Sequence, residues 1–254
     1  MNDELVLAIL PAVAKFHIGL SGFSYKEWQG EGLFYPPELK QAGFFGFYCC
    51  RYPSVEMDGT WYRMPTEAAV EKWMRESPEG FSFAPKMHRD VTHMSRLKLD
   101  KIDSVKFFLK RLEPLEKCGK LGAILVQLPP SMKRNDQRLC EFFDAVPHRD
   151  TLLWSVEFRN DSWHHGDVEE MLRSRDVAWV ANDTDDADAQ RRNTARHIYA
   201  RLRKTDYDEN LLSNWAGYFR AALDRGQDCY VYCKHEDAEA PWIWADRLIE
   251  LVNR

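Results

Sequence analysis

The stretch Val55-Glu-Met-Asp58 sets a pattern that the rest of the chain repeats, because a short apolar run ends in a polar or charged residue. Six later runs end in the same way, at Lys86, Gln127, Arg159, Asp183, Arg201 and Lys234. In a (β/α)8 barrel the carboxyl ends of the parallel strands meet at one rim, where a polar side chain is costly unless it is paired or used. The pattern therefore predicts a single α/β barrel of the (β/α)8 TIM type with a polar site at its rim.

Eight segments rich in Val, Ile, Phe, Tyr or Trp are the candidate strands of this barrel. They are residues 16–20, 53–58, 81–86, 122–127, 152–158, 177–182, 197–202 and 229–234. Stretches with helical periodicity lie between them, at residues 66–77, 100–118, 135–145, 166–174, 211–224 and 241–253. Alternating strands and helices indicate parallel βαβ units. An open doubly wound sheet shares this alternation, but no GxGxxG or P-loop motif follows any strand, so we favour the closed barrel.

The length and composition predict one globular domain. A chain of 254 residues matches a single barrel of about 250 residues, so we expect one domain over residues 1–254, with a core at about 16–252. The net charge of −5 disfavours general binding to nucleic acid or to acidic membranes. Asp3 and Glu4 stand where a secretion signal carries positive charge, and no apolar stretch reaches the roughly 20 residues of a membrane span. We therefore expect a cytoplasmic protein.

Alternate side chains of a strand share a face, so Glu56 lies with Asp58, Glu157 with Arg159, and Arg201 with Arg203. If Glu56 faces the barrel interior, the corresponding residues of other strands do so as well, namely Lys86, Gln127, Glu157 and Arg201. Paired carboxylates with cations between them suit proton transfer. We predict Glu157 as general base or acid, Glu56 as its partner, and Lys86 with Arg201 as stabilisers of negative charge. The alternative is a buried structural network in which Glu157 pairs with Arg159 and Glu56 with Lys86.

We predict that the polar residues at the strand ends bind the substrate, namely Asp58, Gln127, Arg159, Asp183, Arg201, Arg203 and Lys234. Loop residues near the strand ends are further candidates for substrate binding. They are Ser21 after the first strand, the aromatic residues Tyr25, Trp28, Trp61 and Tyr62, and His93 after the third strand. Aromatic faces at such positions stack on a sugar ring or a base, or they simply pack. The imidazole of His93 titrates near neutral pH, which suits a residue at the mouth of a site.

A metal site is the less favoured alternative for the same rim. The possible ligands are carboxylates and one imidazole, which Mg²⁺ or Mn²⁺ can bind. They are Glu56, Asp58, Glu157, Asp183 and His235. However, no HxH or HExxH grouping is present, and lysine and arginine are available to neutralise the acids. We therefore predict no required metal, with Mg²⁺ or Mn²⁺ as the alternative.

Several blocks of sequence also carry a resemblance to known proteins. They are Ile18-Gly-Leu-Ser-Gly-Phe-Ser-Tyr-Lys-Glu-Trp28, Phe34-Tyr-Pro36, Val55-Glu-Met-Asp-Gly-Thr-Trp-Tyr-Arg63, Phe81-Ser-Phe-Ala-Pro-Lys86, Thr92-His93, Gln127-Leu-Pro-Pro130 and Val156-Glu-Phe-Arg159 with Trp163. In number and order these blocks resemble the YecE-like family, a domain of unknown function (number 72), from about residue 17 to 250. The resemblance implies a TIM-type barrel and a relationship to sugar isomerases, but no reaction.

Two strand ends depart from the pattern that the resemblance implies. Where relatives usually have an arginine, an apolar residue and His-Gly, this chain has Arg201-Leu-Arg-Lys204. Where they usually have an aromatic residue and two asparagines, it has Cys233-Lys-His235. Two positions have become cationic, which favours a more anionic ligand or marks loss of the ancestral reaction. Asp58, where relatives commonly have asparagine, adds a counter-charge.

Three hypotheses of function follow. The leading one is an enzyme that performs acid-base chemistry on a small polar or anionic substrate, such as a sugar or sugar phosphate, in an isomerase-like or hydrolase-like reaction. The second is a nucleic-acid-binding or phosphodiester-cleaving barrel in which aromatic residues stack on bases while Arg203 and Lys234 contact phosphates. The third is a non-catalytic ligand-binding or scaffold protein. The sequence makes no prediction about the oligomeric state.

Overall fold

A computed structural model of the protein describes residues 13–234 and 240–254. Residues 1–12, where we predict no secretion signal, and His235, a candidate metal ligand, lie outside this range. The strands are β1 (Phe16–Leu20), β2 (Ser54–Met57), β3 (Ser82–Pro85), β4 (Ile124–Gln127), β5 (Trp154–Glu157), β6 (Val177–Trp179), β7 (Ala181–Asn182), β8 (His197–Leu202) and β9 (Asp228–Cys233). The helices are α1 (Phe44–Arg51), α2 (Gly59–Tyr62), α3 (Glu67–Glu76), α4 (Ile102–Lys117), α5 (Asp136–Ala145), α6 (Gly166–Arg173), α7 (Glu209–Asp224) and α8 (Pro241–Val252).

The strands form three sheets in which every pairing is parallel. Their orders are β1-β9-β8-β7, β2-β3 and β4-β5-β6. Single bridges connect neighbouring sheets, between Ser21 and Glu56 and between Lys86 and Leu125. The predicted strand 177–182 is divided into β6, which pairs with β5, and β7, which pairs with β8. The protein is therefore an α/β fold with parallel sheets.

Alternate residues of the strands belong to two separate apolar clusters. The larger cluster includes Ile18, Val55, Val156, Ile198 and Val231, and it packs against the helices. The smaller one consists of Ala84, Ala123, Leu125, Val180, Tyr199, Tyr230 and Tyr232, with Leu153 packed against it. These residues share strand faces with the polar strand ends, so the predicted period of two is confirmed.

The predicted helices are confirmed to within two residues at each end. Three of them begin at a side chain that accepts a hydrogen bond from the backbone of the first turn. Thr66 accepts from the N–H of Ala69, Asn135 from Arg138 at 2.9 Å, and Asp208 from Leu211 at 2.8 Å. Helix α8 begins with Pro241, whose fixed φ suits the first helical position. No described helix is long and apolar enough to cross a lipid bilayer.

Helix α1 was not predicted from the sequence, and it holds the first two strands together. The ring of Tyr48 on α1 is fully buried, and its hydroxyl accepts from the N–H of Leu20 at 2.7 Å and donates to the carbonyl of Ser54 at 2.8 Å. The helix thereby joins β1 to β2. This contact requires Gly19, because a Cβ there would lie 1.9 Å from the oxygen of Ser54.

Candidate functional site

Polar side chains from four strands meet at the guanidinium of Arg201 on β8. This side chain is completely buried. Its Nη2 donates to Oε1 of Glu56 at 2.8 Å, and its Nη1 donates to Oε2 of Glu157 at 2.6 Å and to Oε1 of Gln127 at 3.2 Å. One cation therefore ties the carboxyl ends of β2, β4 and β5 to β8. We call Arg201, Glu56, Glu157 and Gln127 the deep layer of the site.

The two carboxylates of the deep layer accept hydrogen bonds from further side chains. Glu56 also accepts from Ser21 Oγ and from the hydroxyl of Tyr199 at 2.7 Å. Glu157 also accepts from Nε of Arg159 at 2.7 Å, so the predicted pairing of these two residues is confirmed. Tyr199 was not among the predicted site residues, although its position two residues before Arg201 on the same strand face is a signal that would have found it.

The predicted pairing of Glu56 with Lys86 is wrong, because Lys86 pairs with Asp58. Lys86 Nζ lies 3.4 Å from Oδ1 of Asp58, and Lys234 Nζ lies 3.8 Å from Oδ2. Ser21 Oγ, whose single proton also faces Glu56, lies 2.8 Å from Oδ2 of the same carboxylate. The register of β2 and β3 explains the correction, since it places Glu56 opposite Ala84 and leaves Asp58 level with Lys86.

Above the deep layer lies a more accessible set of charges, which we call the outer layer: Asp58, Lys86, Arg159, Arg203 and Lys234. Exposure of their side chains reaches 17% for Asp58 and 24% for Lys234, against 0% for Glu56, Glu157 and Arg201. Asp58 and Lys234 are two of the positions at which the chain departs from the pattern of its relatives, and their side chains lie 3.8 Å apart. Asp58 therefore provides the negative counter-charge that the sequence predicts. The outer layer is therefore the part of the cluster that lies nearer to solvent.

The surroundings shift the protonation equilibria of the outer layer. Burial would raise the pKa of Asp58, but Arg201, Lys86 and Lys234 outweigh it and lower that pKa to about 2. Burial and the charge of Arg201 lower the pKa of Lys234 to about 8. Burial also lowers the pKa of Lys86, which Asp58 opposes. Burial and Arg159 lower the pKa of Arg203 to about 10. Lys234 therefore changes its charge just above neutral pH.

Glu157 lies in surroundings that argue against the predicted role of general acid. Burial alone would raise its pKa, but the charges of Arg201, Arg159 and Arg203 outweigh it and hold that pKa far below the ordinary value. At neutral pH this carboxylate has no proton to donate, and its donors make it a weak base. Its chemical effect is to hold two arginines in place.

The ring of Trp61 lies against the ammonium group of Lys86, and two further aromatic side chains pack on Trp61. Nζ of Lys86 lies 5.4 Å from the centroid of the Trp61 ring, a cation–π distance. The ring of His93 meets Trp61 edge-on at 4.9 Å, and Tyr62 meets it at 4.6 Å. Tyr62 is 65% exposed. We call Trp61, Tyr62 and His93 the aromatic wall of the site.

Other predicted binding residues lie beside the site or outside it. Tyr25 donates from its hydroxyl to the carbonyl of Ser21 at 3.0 Å, next to Asp58, and burial raises its pKa to about 12. Trp28 is buried against Phe34 and Trp242, so its ring serves core packing in place of the predicted stacking on a ligand.

Asp183, a predicted binding residue and candidate metal ligand, is occupied within the protein. Its Oδ1 accepts from the N–H of Arg203 at 2.8 Å and from the hydroxyl of Tyr207 at 2.5 Å. Its Oδ2 accepts from Nε1 of Trp215 at 3.1 Å. These contacts direct the carboxylate toward α7 and fix the segment after β8, in place of the predicted ligand contact.

The donor groups of the rim do not form a metal centre in the described part of the chain. Nowhere in residues 13–234 and 240–254 do three or more His, Cys, Asp or Glu side chains converge in a way that could hold an ion. Glu56 and Glu157 already accept three and two hydrogen bonds respectively from protein groups. The rim is thus built as a set of ion pairs.

The sheets are parallel and pack against helices, and charged residues gather at the carboxyl ends of the strands. These features make the chain an α/β protein with a candidate site at one end of its sheets. The chain belongs to the family described as "Protein of unknown function DUF72", which matches residues 17–254. It is similar to the UPF0759 protein YunF of Bacillus subtilis, with 27% identity over 150 residues, 58% of this chain and 51% of that protein. It is also similar to the UPF0759 protein YecE of Escherichia coli K12, with 26% identity over 160 residues, 63% of this chain and 54% of that protein. The matched part of the chain spans about half the length of these curated relatives, and the resemblance to the YecE-like family is confirmed.

Solved structures share the fold. A DUF72 family protein from Thermotoga maritima superposes with a TM-score of 0.77 at 23% identity, covering 94% of this chain and 100% of that one. A DUF72 family protein from Enterococcus faecalis gives 0.71 at 16% identity, covering 94% and 96%. An AP endonuclease of family 2 from Brucella melitensis gives 0.57 at 9% identity, covering 93% and 98%. At these identities the likeness is one of fold alone.

Proposed function

We propose that the three sheets close into one (β/α)8 barrel and that its rim is the active site of an enzyme for a small anionic substrate. Closure is supported by the bridges of Ser21 to Glu56 and of Lys86 to Leu125, which link the sheets on either side of β2 and β3. It is supported also by β6 and β7, which pair with β5 and β8 respectively. In such a barrel the observed charges lie at the face that carries catalytic residues.

The charge balance of the two layers carries the proposal. The deep layer has one arginine against two glutamates, all without exposed side-chain surface. The outer layer adds four cations and one carboxylate, Asp58, so the two layers together have five cations against three carboxylates, an excess of two positive charges. A cationic and partly buried site attracts an anion. A phosphate or carboxylate group of the substrate is complementary to this charge.

The two lysines of the outer layer have different roles in the proposed enzyme: Lys234 transfers a proton and Lys86 stabilises negative charge. A general acid or base works best when its pKa is near the operating pH, and the pKa of Lys234 is lowered to about 8. Lys86 is held against Asp58 and Trp61 and stabilises negative charge that develops on the substrate. Isomerisation or hydrolysis of a sugar phosphate needs both functions, a proton carrier and an electrostatic stabiliser.

A ligand-dependent unfolding experiment tests the proposal. Wild type and Arg203→Met are melted with inorganic phosphate, with glucose 6-phosphate and with glucose. An anion at about 100 times its dissociation constant adds roughly 2.7 kcal/mol to the stability of the wild type. We expect the two phosphates to raise the melting temperature of the wild type, to raise that of the variant less, and glucose to have no effect. Equal effects of glucose and its phosphate would overturn the proposal, and Lys72→Met, an exposed lysine on α3, is the control.

Catalysis is tested separately from binding. With a phosphate ester that passes the melting test, we expect Lys86→Met to bind but to lose turnover by at least 100-fold. Glu157→Gln removes a carboxylate that positions Arg159 and Arg201, so we expect it to reduce turnover while the protein remains folded. Full activity in both variants would contradict the roles given to Lys86 and Glu157. Absence of turnover in the wild type, with every phosphate ester that binds, would remove the enzyme proposal and leave a ligand-binding protein.

A second candidate function is action on nucleic acid. The exposed Tyr62 beside Trp61 offers a stacking surface next to the cations of the outer layer, and base stacking on such residues is worth about 1–3 kcal/mol. The fold likeness to an AP endonuclease is compatible with this candidate. Its test is the binding of a short single-stranded oligonucleotide at 50 and 200 mM salt, because phosphate contacts require affinity to fall with salt. An affinity independent of salt, or unchanged in Tyr62→Ala, would exclude it.

A further inference from the structure

The hydrogen bonds of His93 define which of its ring nitrogens carries the proton. Nε1 of Trp61 lies 3.4 Å from Nδ1 of His93, and Oγ1 of Thr92 lies 2.9 Å from the same atom. An indole N–H only donates, so Nδ1 must be an unprotonated acceptor. The single hydroxyl proton of Thr92 is then shared between Nδ1 and the carbonyl of His88, which lies 3.4 Å from Oγ1. A neutral imidazole with an acceptor at Nδ1 carries its proton on Nε2.

The surroundings also keep this imidazole neutral. Burial comes first among the causes that lower the pKa of His93, followed by the charges of Lys86 and Arg159, while Glu157 opposes them. Protonation would in addition place a proton on Nδ1, which faces the N–H of Trp61. His93 is therefore a neutral side chain with one N–H at its outer edge, where no hydrogen-bond partner lies within the described residues.

The backbone that carries His93 has an unusual conformation. Residues Asp90–Met94 form one turn of π-helix, a form that is found frequently at functional sites. Arg96 and Leu97 follow with φ of 53° and 63°, a region that residues other than glycine rarely adopt. The buried Leu97 side chain and the bond from its N–H to the carbonyl of Val91 hold this segment. Strain of this kind persists where the surrounding structure fixes a functional side chain.

We infer that His93 is a specificity-determining residue that donates from Nε2 to an uncharged oxygen of the ligand. The inference rests on the proposed function for the anionic group, which the outer layer binds. Lys86 Nζ and His93 contact the same ring, that of Trp61, which places the cation and the imidazole in the same part of the site. The ligand class is thereby narrowed to small anions that carry a second oxygen acceptor, a carbonyl or hydroxyl group, near the charged end.

The tautomer is tested without any ligand. Long-range ¹H–¹⁵N spectra of protein labelled at histidine distinguish protonation at Nε2 from protonation at Nδ1. At pH 7 we expect His93, assigned by its loss in His93→Gln, to show the neutral form with the proton on Nε2. In Trp61→Phe the donor to Nδ1 is lost, so we expect a mixture of tautomers. A proton on Nδ1 in the wild type, or a charged ring at pH 7, would overturn the inference.

The role in recognition is tested with two complementary variants. Asn at position 93 supplies an acceptor near Nδ1 but no outer donor, whereas Gln supplies a donor near Nε2. We expect His93→Asn to bind dihydroxyacetone phosphate about tenfold more weakly than wild type, His93→Gln to retain most of the affinity, and both to bind inorganic phosphate unchanged. Equal losses in the two variants, or no preference of the wild type for dihydroxyacetone phosphate over phosphate, would overturn the role of His93. Absence of all phosphate binding, with the Nε2 tautomer observed, would instead contradict the proposed function.

Discussion

Replacing Arg201 with methionine tests whether the deep layer is a desolvated network. The arginine is fully buried and is bound to Glu56 at 2.8 Å and Glu157 at 2.6 Å. Removing one partner of a buried ion pair costs about 3–5 kcal/mol, because the remaining charge stays buried without compensation. Glu157 retains Arg159, but Glu56 retains only the hydroxyl donors of Ser21 and Tyr199. We therefore expect Arg201→Met to lower the free energy of unfolding by at least this amount.

The same variant should also change how the free energy of unfolding depends on pH. In the wild type the pKa of Glu157 is lower in the folded than in the unfolded state, so its stabilisation is present above the unfolded pKa and is lost as pH falls. Arg201 is the first of the charges that lower this pKa, so in Arg201→Met the pKa of Glu157 lies closer to its unfolded value. The loss of stability between pH 6 and pH 3 that Glu157 causes is therefore smaller in the variant than in the wild type.

Urea unfolding of both proteins from pH 3 to pH 6 measures this change. Arg247→Met is the matched control, because Arg247 also bridges two glutamates, Glu209 and Glu250, but on the exposed surface. We expect a much smaller loss there. Adding Glu56→Gln to Arg201→Met should recover part of the stability. If Arg201→Met costs no more than Arg247→Met, or if acid destabilises Arg201→Met as steeply as the wild type, the deep layer is hydrated and the reasoning fails.

Three further changes have defined outcomes. Gly19→Ala places a Cβ 1.9 Å from the Ser54 oxygen, so we expect loss of the folded state in thermal melts, whereas Gly217→Ala in α7, with no atom within 4 Å, should be neutral or gain up to about 1 kcal/mol. Burial lowers the pKa of His197 to about 3, so its contribution to stability is lost as pH falls below the unfolded pKa, and His197→Gln should flatten the fall in unfolding free energy between pH 6 and 4. Phosphate affinity measured by calorimetry should decrease above pH 8 as Lys234 loses its proton, and Lys234→Arg should remove that decrease. A steep fall in His197→Gln, or an unchanged pH profile in Lys234→Arg, would contradict these assignments.

The sequence was sufficient for the positions of the strands because two independent signals coincide there. Each strand combines apolar residues at a period of two with a polar residue at its end, and both signals remain visible without any tertiary contact. Helix α1 gave no such signal. Its residues Phe44-Phe-Gly-Phe-Tyr-Cys-Cys-Arg51 are apolar on most sides, so they show little amphipathic periodicity, and Gly46 lowers their helix propensity.

The identity of the site residues was predictable, but their pairing was not. Face alternation along one strand follows from its own sequence, which is why Arg159 was correctly paired with Glu157. The partner of Lys86 depends on the register between β2 and β3, which a single sequence does not contain. The direction of Asp183 likewise depends on donors from a distant helix, among them Trp215.

Under the proposed function, the two interpretations of the rim, a structural network and a catalytic site, apply to different depths of the same cluster. In the deep layer the side chains of Arg201, Glu56 and Glu157 are fully buried, and Arg201 is already shared by the two glutamates. The outer layer is partly exposed, carries cations whose pKa values are lowered, and includes Lys86 and Lys234 on a single carboxylate. The buried, ion-paired layer beneath positions the outer charges, among them Arg159 through Glu157. The chemistry is therefore to be sought at Lys86, Lys234 and His93, and structural stability at Arg201.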